Sequence, residues 1–317
     1  MKGAKVFFLL IMVLLLPVVA MAAQGPSRTI DPIVTTDWLE ANLGTTGLVV
    51  VDIRPTVDYT AGHIAGAVNV PFGPGTWWVI SPEGLILQLP DQTALFNLIG
   101  SIGITSSSKI VVVNKTDTNF DRADATRVAW TLIYAGLRDV AVLDGGYNKW
   151  VADGNATSTE PVTPTTVVYT GTLNENIVIA KERVSKMLRS AKIVDARDPD
   201  AYFGVTFDDV YSSRPGHIQK AVSLPTPWVW EETFDGDTFL YATFKNTDTL
   251  EAIAEGVIGK NKKNKKIILY CGVGGYASTW WFLLSEVLGY KKVTVYDGSI
   301  QEWTMDPDAP VTLYRWN

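Results

Sequence analysis

One cysteine, Cys271, and two histidines, His63 and His217, are all that the 317 residues offer to a disulfide or a soft metal. A lone thiol closes no internal bridge, and without a cluster of Cys and His no zinc site is expected. There is no Gly-x-x-x-x-Gly-Lys phosphate loop and no complete Gly-x-Gly-x-x-Gly turn, so neither a metal nor a nucleotide cofactor is implied. Basic excess is missing too: 27 Lys and Arg face 33 Asp and Glu, a net charge of −6. That balance argues against nucleic acid as a partner. Beyond the first two dozen residues no apolar run approaches the length of a membrane span.

The N-terminus is the exception. Lys2 and Lys5 precede an apolar run from Val6 to Val19, and Ala20-Met21-Ala22 puts small residues where a signal peptidase reads them. The pattern predicts a signal peptide over 1–22 with cleavage before Ala23, hence an exported, periplasmic or extracytoplasmic protein. The stretch from Val6 to Ala23 is just long enough to span a bilayer, so the membrane is a partner only if the segment stays uncleaved. No cysteine follows it, which excludes a lipid-anchored lipoprotein. With 47% hydrophobic and 11% aromatic residues, the rest has the apolar mass for a large core and the length for two domains.

The chain is written twice. Val49-Val50-Val51-Asp52-Ile53-Arg54, Tyr59, Gly62-His63-Ile64 and Ala67-Val68 return as Lys192-Ile193-Val194-Asp195-Ala196-Arg197, Tyr202, Gly216-His217-Ile218 and Ala221-Val222, with a longer insertion before the second Gly-His-Ile. The later halves match as well. An apolar strand over 110–113, a helical pattern over 125–135 ending at Gly136, and a strand over 140–143 lead to Asp144-Gly145. In the second copy the corresponding features are 267–270, 277–288, Gly289, 293–296 and Asp297-Gly298. Short continuous apolar runs alternating with helical patterns predict parallel strands covered on both faces. The fold class expected is therefore α/β, two tandem doubly wound domains over 29–156 and 174–317, joined by a Thr/Pro-rich linker over 157–173.

The segment Tyr270-Cys271-Gly272-Val273-Gly274-Gly275-Tyr276-Ala277-Ser278 lies between a strand and a helix, where open parallel sheets collect ligands. Its glycines let the backbone curl with N–H groups inward as a cradle for an anion, and the helix start near Ala277 adds partial positive charge. A cysteine opening that cradle is expected to be a nucleophile with a lowered pKa. Free cysteines are often inert core, but a strand end followed at once by glycines and a helix fits that reading poorly.

Asp-x-Arg, the later Gly-His-Ile, a strand ending in Cys271, a six-residue loop and a downstream Asp-Gly together resemble a tandem rhodanese, over nearly the whole chain after the leader. The resemblance implies a sulfurtransferase of the thiosulfate or 3-mercaptopyruvate class. Cys271 would accept a sulfane sulfur as a persulfide, and the backbone of Gly272, Val273, Gly274, Gly275, Tyr276 and Ala277 would hold the anion. It implies a small anionic donor, a thiol or cyanide-like acceptor and a redox or sulfur-relay protein as a further partner. Asn114 stands at the cysteine position of the first domain, which makes that domain catalytically silent.

The sequence also departs from the pattern. The loop has no charge, where thiosulfate-specific members carry Arg or Lys. Val273 and Tyr276 replace the hydroxyl residues of the mercaptopyruvate-specific Cys-Gly-Ser/Thr-Gly-Val-Thr. Ala201 stands where many members have a substrate-binding arginine, so Arg214 in the insertion is the candidate for the missing charge. These departures keep open a second class, a carrier that holds sulfur or a related chalcogen without turnover. A cysteine phosphatase is excluded, because position 277 is alanine rather than the phosphate-clamping arginine and the loop is one residue short. His63 and His217 occur in both copies, only one of which has a cysteine, so both read as structural; Asp52–Arg54 and Asp195–Arg197 read as buried ion pairs. The basic turn from Lys260 to Lys266 lies at the far end of the strand from Cys271. Trp228 and Trp230 are candidates to wall the cleft, and Trp77, Trp78, Trp280 and Trp281 to fill the core.

Overall fold

The computed structural model describes residues 28–73 and 78–316. The expected leader and Trp77 lie outside them. Among the described residues no helix is long and apolar enough to cross a membrane.

The first domain contains β1 (Ile33–Val34), β2 (Leu48–Asp52), β3 (His63–Ile64), β4 (Val68–Asn69), β5 (Lys109–Val113), β6 (Val140–Leu143) and β7 (Thr157–Ser158), with α1 (Thr36–Asn42), α2 (Thr56–Ala61), α3 (Gln92–Ser101), α4 (Asn119–Tyr134) and α5 (Gly146–Ala152) between them. The second contains β8 (Lys192–Asp195), β9 (His217–Ile218), β10 (Ala221–Ser223), β11 (Trp230–Asp235), β12 (Thr238–Phe244), β13 (Ile267–Tyr270), β14 (Val293–Val295) and β15 (Val311–Thr312). Its helices are α6 (Lys181–Met187), α7 (Pro199–Phe203), α8 (Thr247–Ile258), α9 (Gly275–Phe282) and α10 (Ser299–Met305). The sheets are parallel, in the orders β1-β6-β5-β2-β4 and β10-β8-β13-β14. Two small antiparallel ribbons, β3–β7 and β9–β15, carry the Gly-His-Ile segments, and β11–β12 is a hairpin.

Strand alternation sorts the side chains between faces. In the first domain Val50, Val111 and Ala141 pack with Leu39, Tyr59 and Trp150 from α1, α2 and α5, whereas Val51, Val112 and Val142 pack with residues of α3 and α4. In the second domain Ile268 and Tyr270 face Val184, Tyr202 and Trp303, while Ile267 and Leu269 face α8 and α9. Both sheets are thus covered on both sides, as the continuous apolar runs predict. The faces carrying α4 and α9 merge into one core that spans the two domains. At its centre the hydroxyls of Thr126 and Thr279 meet at 2.7 Å. These residues are 153 positions apart, the spacing of the repeat, so equivalent residues touch across a local two-fold axis, as in an isologous dimer.

The paired motifs have one mechanical explanation. Arg54 binds Asp52 at 2.6 Å and donates to the carbonyl of Gly62 at 2.8 Å; Arg197 binds Asp195 at 2.6 Å and donates to the carbonyl of Gly216 at 2.7 Å. Each arginine locks the end of its strand to the start of Gly-His-Ile, and the second lock spans the insertion. His63 and His217 stack on Tyr59 and Tyr202 with ring centroids 3.8 Å apart, and each Nδ1 meets the carbonyl of its tyrosine. The segment 157–173 is strapped to the first domain: Thr157–Ser158 pairs with β3, Val167 donates to the carbonyl of Gly100, and the Tyr169 hydroxyl donates to that of Ala135.

Helix starts differ from those the sequence suggests. The helix expected from residue 125 begins at Asn119, because Thr118 and Asp121 form a reciprocal capping box. The helix expected from residue 277 begins at Gly275, and beyond Phe282 it continues as a wider π turn over Leu283–Val287. Trp78 and Trp280 are fully buried, and Trp281 nearly so.

A core shared between domains predicts that they unfold together. Trp130 is fully buried in it, and Trp130→Ala should cost about 3–5 kcal/mol. In a thermal melt the substitution should lower a single transition; two separate transitions in the parent protein would contradict a common core.

Candidate active site

Cys271 follows β13 directly, and alternation turns its side chain to the same face as Ile267 and Leu269, toward the other domain. It opens onto a cavity of about 280 Å³ at the carboxyl ends of the second sheet. The first domain contributes Leu87, Phe120, Ala123 and Asp124 to the walls; the second contributes the loop after Cys271 and much of the insertion that precedes Gly216.

The backbone around the sulfur is fixed from several sides. Cys271 N–H donates to Ser299 Oγ at 3.2 Å, Ile300 N–H donates to the Cys271 carbonyl at 3.1 Å, and Gln301 N–H donates to the Gly272 carbonyl at 3.3 Å. The Gly274 N–H donates to Sγ at 3.1 Å. The amides of Ala277 and Val273 also favour the ionised form of the thiol. Gly274 takes φ +92°, and a Cβ there would stand 2.6 Å from Arg127 Nη1 and 2.7 Å from Asp297 Oδ1. Only glycine meets both constraints.

The loop rests on an ion pair between domains. Arg127 of α4 reaches Asp297 at 2.5 Å and donates to the Leu87 carbonyl at 2.8 Å, while Leu89 N–H donates to the other oxygen of Asp297 at 2.8 Å. Beside it the Gln301 amide makes two bonds of 3.0 Å to the backbone of Ile86.

Three expectations need correction or refinement. Burial pushes the Cys271 thiol up rather than down; the amides of Ala277, Val273 and Gly274 pull the other way, and the charge of Asp195 adds to the rise. The cost of removing a thiolate from water exceeds what the cradle returns. Arg214 does not bring its charge to the cavity. Its guanidinium donates to the carbonyls of Asp306 and Ala309, at 2.7 Å each, and to that of Thr304 at 3.4 Å, so it anchors the insertion to the end of α10. Trp228 and Trp230 do not line this cavity either: Trp228 is half exposed, and Trp230 packs on Phe244. Gly272, Val273, Gly275 and Tyr276 do line it, while Gly274 and Ala277 present their amides to the sulfur.

Two participants carry no repeat signal. Asp124, half-buried on α4, faces the cavity; burial and the charge of Asp121 push its carboxyl up to about 8 against the pull of Arg127. Its counterpart in the second copy is Ala277, so the duplication could not reveal it. Ser299 holds φ +52° in the left-handed region while its hydroxyl accepts from Cys271 and donates to the Tyr296 carbonyl at 2.9 Å. Its counterpart is Gly146, also left-handed at φ +57°. The second domain thus keeps a backbone turn suited to glycine and places there a hydroxyl that holds the cysteine.

The equivalent place in the first domain is closed. Asn114 donates to the Asp121 carbonyl at 2.7 Å, and β12 lies over the strand ends, with Phe244 N–H donating to Asp144 at 2.9 Å and Ala242 N–H to Thr116 Oγ1 at 3.2 Å. Only about 10 Å³ remains beside Asn114.

A doubly wound α/β repeat with one strand-end thiol ringed by backbone amides is the class that this architecture defines. A model of the rhodanese-like domain matches residues 35–153 and again 180–306. The chain belongs to the rhodanese-domain sulfurtransferase family. A Mycolicibacterium smegmatis protein named "Putative thiosulfate sulfurtransferase" is 31% identical over 292 residues, covering 89% of this chain and 98% of its own. One of the same name from Mycobacterium leprae is 29% identical over 291 residues, with the same coverage. The crystal structure of an anaerobic ergothioneine biosynthesis enzyme from Chlorobium limicola, in complex with its natural substrate trimethyl histidine, has a TM-score of 0.74 over 90% of this chain and 71% of that one. At 24% identity that likeness is one of fold.

Because its folded-state pKa is raised, Cys271 binds its proton more tightly in the folded protein than in the unfolded chain. That contribution to stability is present below the unfolded value of about 8.5 and is lost as pH rises through the folded one. Alkylation of the resting protein by iodoacetamide should be slow at neutral pH and still climbing above the ordinary thiol value of about 8.5. A rate already level by about pH 8 would contradict the assignment.

Ser299 yields a paired prediction. Ser299→Ala loses the hydroxyl and keeps the left-handed strain; Ser299→Gly loses both. The glycine variant should be more stable than the alanine variant by about 1 kcal/mol. Both should slow sulfur transfer by about tenfold through a displaced cysteine. Thermal denaturation and turnover read the two effects separately, and equal stabilities would refute the strain.

Proposed function

We propose that the protein moves a sulfane sulfur from a small donor to a thiophilic acceptor through a persulfide on Cys271. The observation that carries this reading is the Cys271 sulfur in the cavity wall, with the Gly274 amide bonded to it and those of Val273 and Ala277 favouring its ionised form. The Cys271 thiolate attacks the outer sulfur of the donor, whose bond to that sulfur breaks, and the leaving group keeps the electron pair. With thiosulfate the leaving group is sulfite. The persulfide anion then lies among amides already oriented toward it, so little reorganisation accompanies the movement of charge. A thiol or cyanide attacks the outer sulfur in turn, and Cys271 departs as thiolate. Thiosulfate and 3-mercaptopyruvate are the donors to test first, and a redox or sulfur-relay protein is the partner to seek in the exported compartment that the leader suggests.

One observation favours a second reading, a carrier that holds sulfur without fast turnover. Both donors are anions, and the arginines nearest the cavity are already committed, Arg197 to Asp195 and Arg127 to Asp297.

Sulfur transfer to cyanide from each donor, with Cys271→Ser as control, separates these readings. Turnover abolished in the variant supports the enzyme. A persulfide that accumulates on Cys271 without turnover supports the carrier. Full activity in Cys271→Ser would sink both.

A further inference from the structure

The insertion that distinguishes the second copy builds a wall of the cavity. Tyr202 and Gly216 are 14 positions apart where Tyr59 and Gly62 are 3 apart. Phe207, Asp208 and Tyr211 of that added segment line the cavity, and Tyr211 lies against Gly272, within 3.5 Å of where a Cβ would stand. Facing them, Phe120 from the first domain stacks on Tyr276 at 5.3 Å. The walls are therefore aromatic on both sides.

The acidic groups that the walls leave unpaired outnumber the basic ones. Asp124, Asp198 and Asp208 line the cavity, and among the described residues none of them forms a salt bridge. The only cationic side chain in the lining is Arg197, whose guanidinium already holds Asp195 by both carboxylate oxygens and the Gly216 carbonyl. Arg214, the one basic residue of the insertion, is turned away onto the carbonyls after α10. An anion would meet the carboxylates of Asp198 and Asp208 here with no uncommitted cation in the lining to offset them, whereas aromatic faces beside carboxylates suit a positive charge on an apolar body.

We propose that the acceptor which discharges Cys271 is a small organic cation bearing a thiol. This rests on reading Cys271 as the persulfide site and adds the chemical class of its substrate. The positive group sits beside Asp198 and Asp208, the carboxyl of Asp124 giving up its proton as the charge arrives, with the apolar part against Phe120, Tyr211 and Tyr276. The thiol gives its proton to solvent, and its sulfur attacks the outer sulfur of the persulfide. The sulfur–sulfur bond to Cys271 breaks, and the electron pair returns to Sγ. The products are the persulfide of the cation and a free Cys271 thiolate, with no oxidant or reductant consumed. A cation bound here also supplies an uncommitted positive charge, which Arg197, paired with Asp195, does not, and so favours the departing thiolate.

The experiment loads the full-length protein with inorganic polysulfide and confirms the Cys271 persulfide by intact mass. Discharge is then followed with three thiols of similar size: 2-(trimethylammonio)ethanethiol, 2-mercaptoethanol and 3-mercaptopropionate, each rate corrected for thiol ionisation. The cationic thiol should discharge the persulfide about tenfold faster than the neutral one, with the anionic thiol slowest. In Asp124→Asn combined with Asp208→Asn, the ratio of cationic to neutral rates should fall at least about threefold. A persulfide discharged as fast by the anion as by the cation overturns the proposal, and the wild-type series alone decides this if the variant does not fold. Failure of Cys271 to take up sulfur at all would instead overturn the sulfur-relay reading beneath it.

Discussion

The buried pair between Arg127 and Asp297 is the constraint on which both the assembly and the site depend. It crosses the domain boundary, and Gly274 of the cysteine loop packs directly on it. A buried charge pair is costly to assemble and costly to break by halves, so its worth lies in fixing geometry more than in net stability. Here it sets the register of α4 against the second sheet. The Leu87–Leu89 backbone and the Gln301–Ile86 bonds follow from the same registration. The cradle is thus positioned partly by the domain that carries no cysteine.

Duplication made much of this legible from sequence. The Asp-x-Arg and Gly-His-Ile segments could be aligned by eye because each is half of one lock, an arginine spanning from its own carboxylate to a glycine carbonyl. The strands at 110–113, 140–143 and 267–270 read correctly, since fully buried parallel strands leave uninterrupted apolar runs. The start of α4 was misplaced because its polar capping residues precede the apolar pattern that marks a helix, and that of α9 because it begins on glycine, directly after the left-handed Gly274. Cys271 and its loop stood out by position. Asp124 and Ser299 did not, for a physical reason: each acts on the site from an element remote in sequence, and each has a non-matching counterpart, Ala277 and Gly146. Arg214 misled because charge was counted without knowing which carbonyls would claim it. The thiol pKa misled because the sequence displays the amides of the loop but conceals the depth of burial.

The two copies have diverged around their shared axis. Thr126 and Thr279 still meet as equivalents, yet the partners of the Asp-Gly carboxylates differ. Asp297 has Arg127 beside it, whereas the position equivalent to Arg127 in the second copy is Trp280. Asp144 therefore has no arginine of that kind. It accepts from Phe244, and burial pushes its carboxyl up to about 6 against that amide and the charge of Lys149. One end of the interface is clamped by charge and opens onto a cavity; the other is closed by a hairpin.

That hairpin has a consequence for how the protein could have changed over time. Since β12 occupies the strand ends beside Asn114, restoring a thiol there by a single codon change would recreate a nucleophile without a berth for anything it could attack. The first domain is barred from this chemistry by a neighbour's loop as well as by the missing sulfur. Opening it would demand excision of a segment belonging to the other half of the gene.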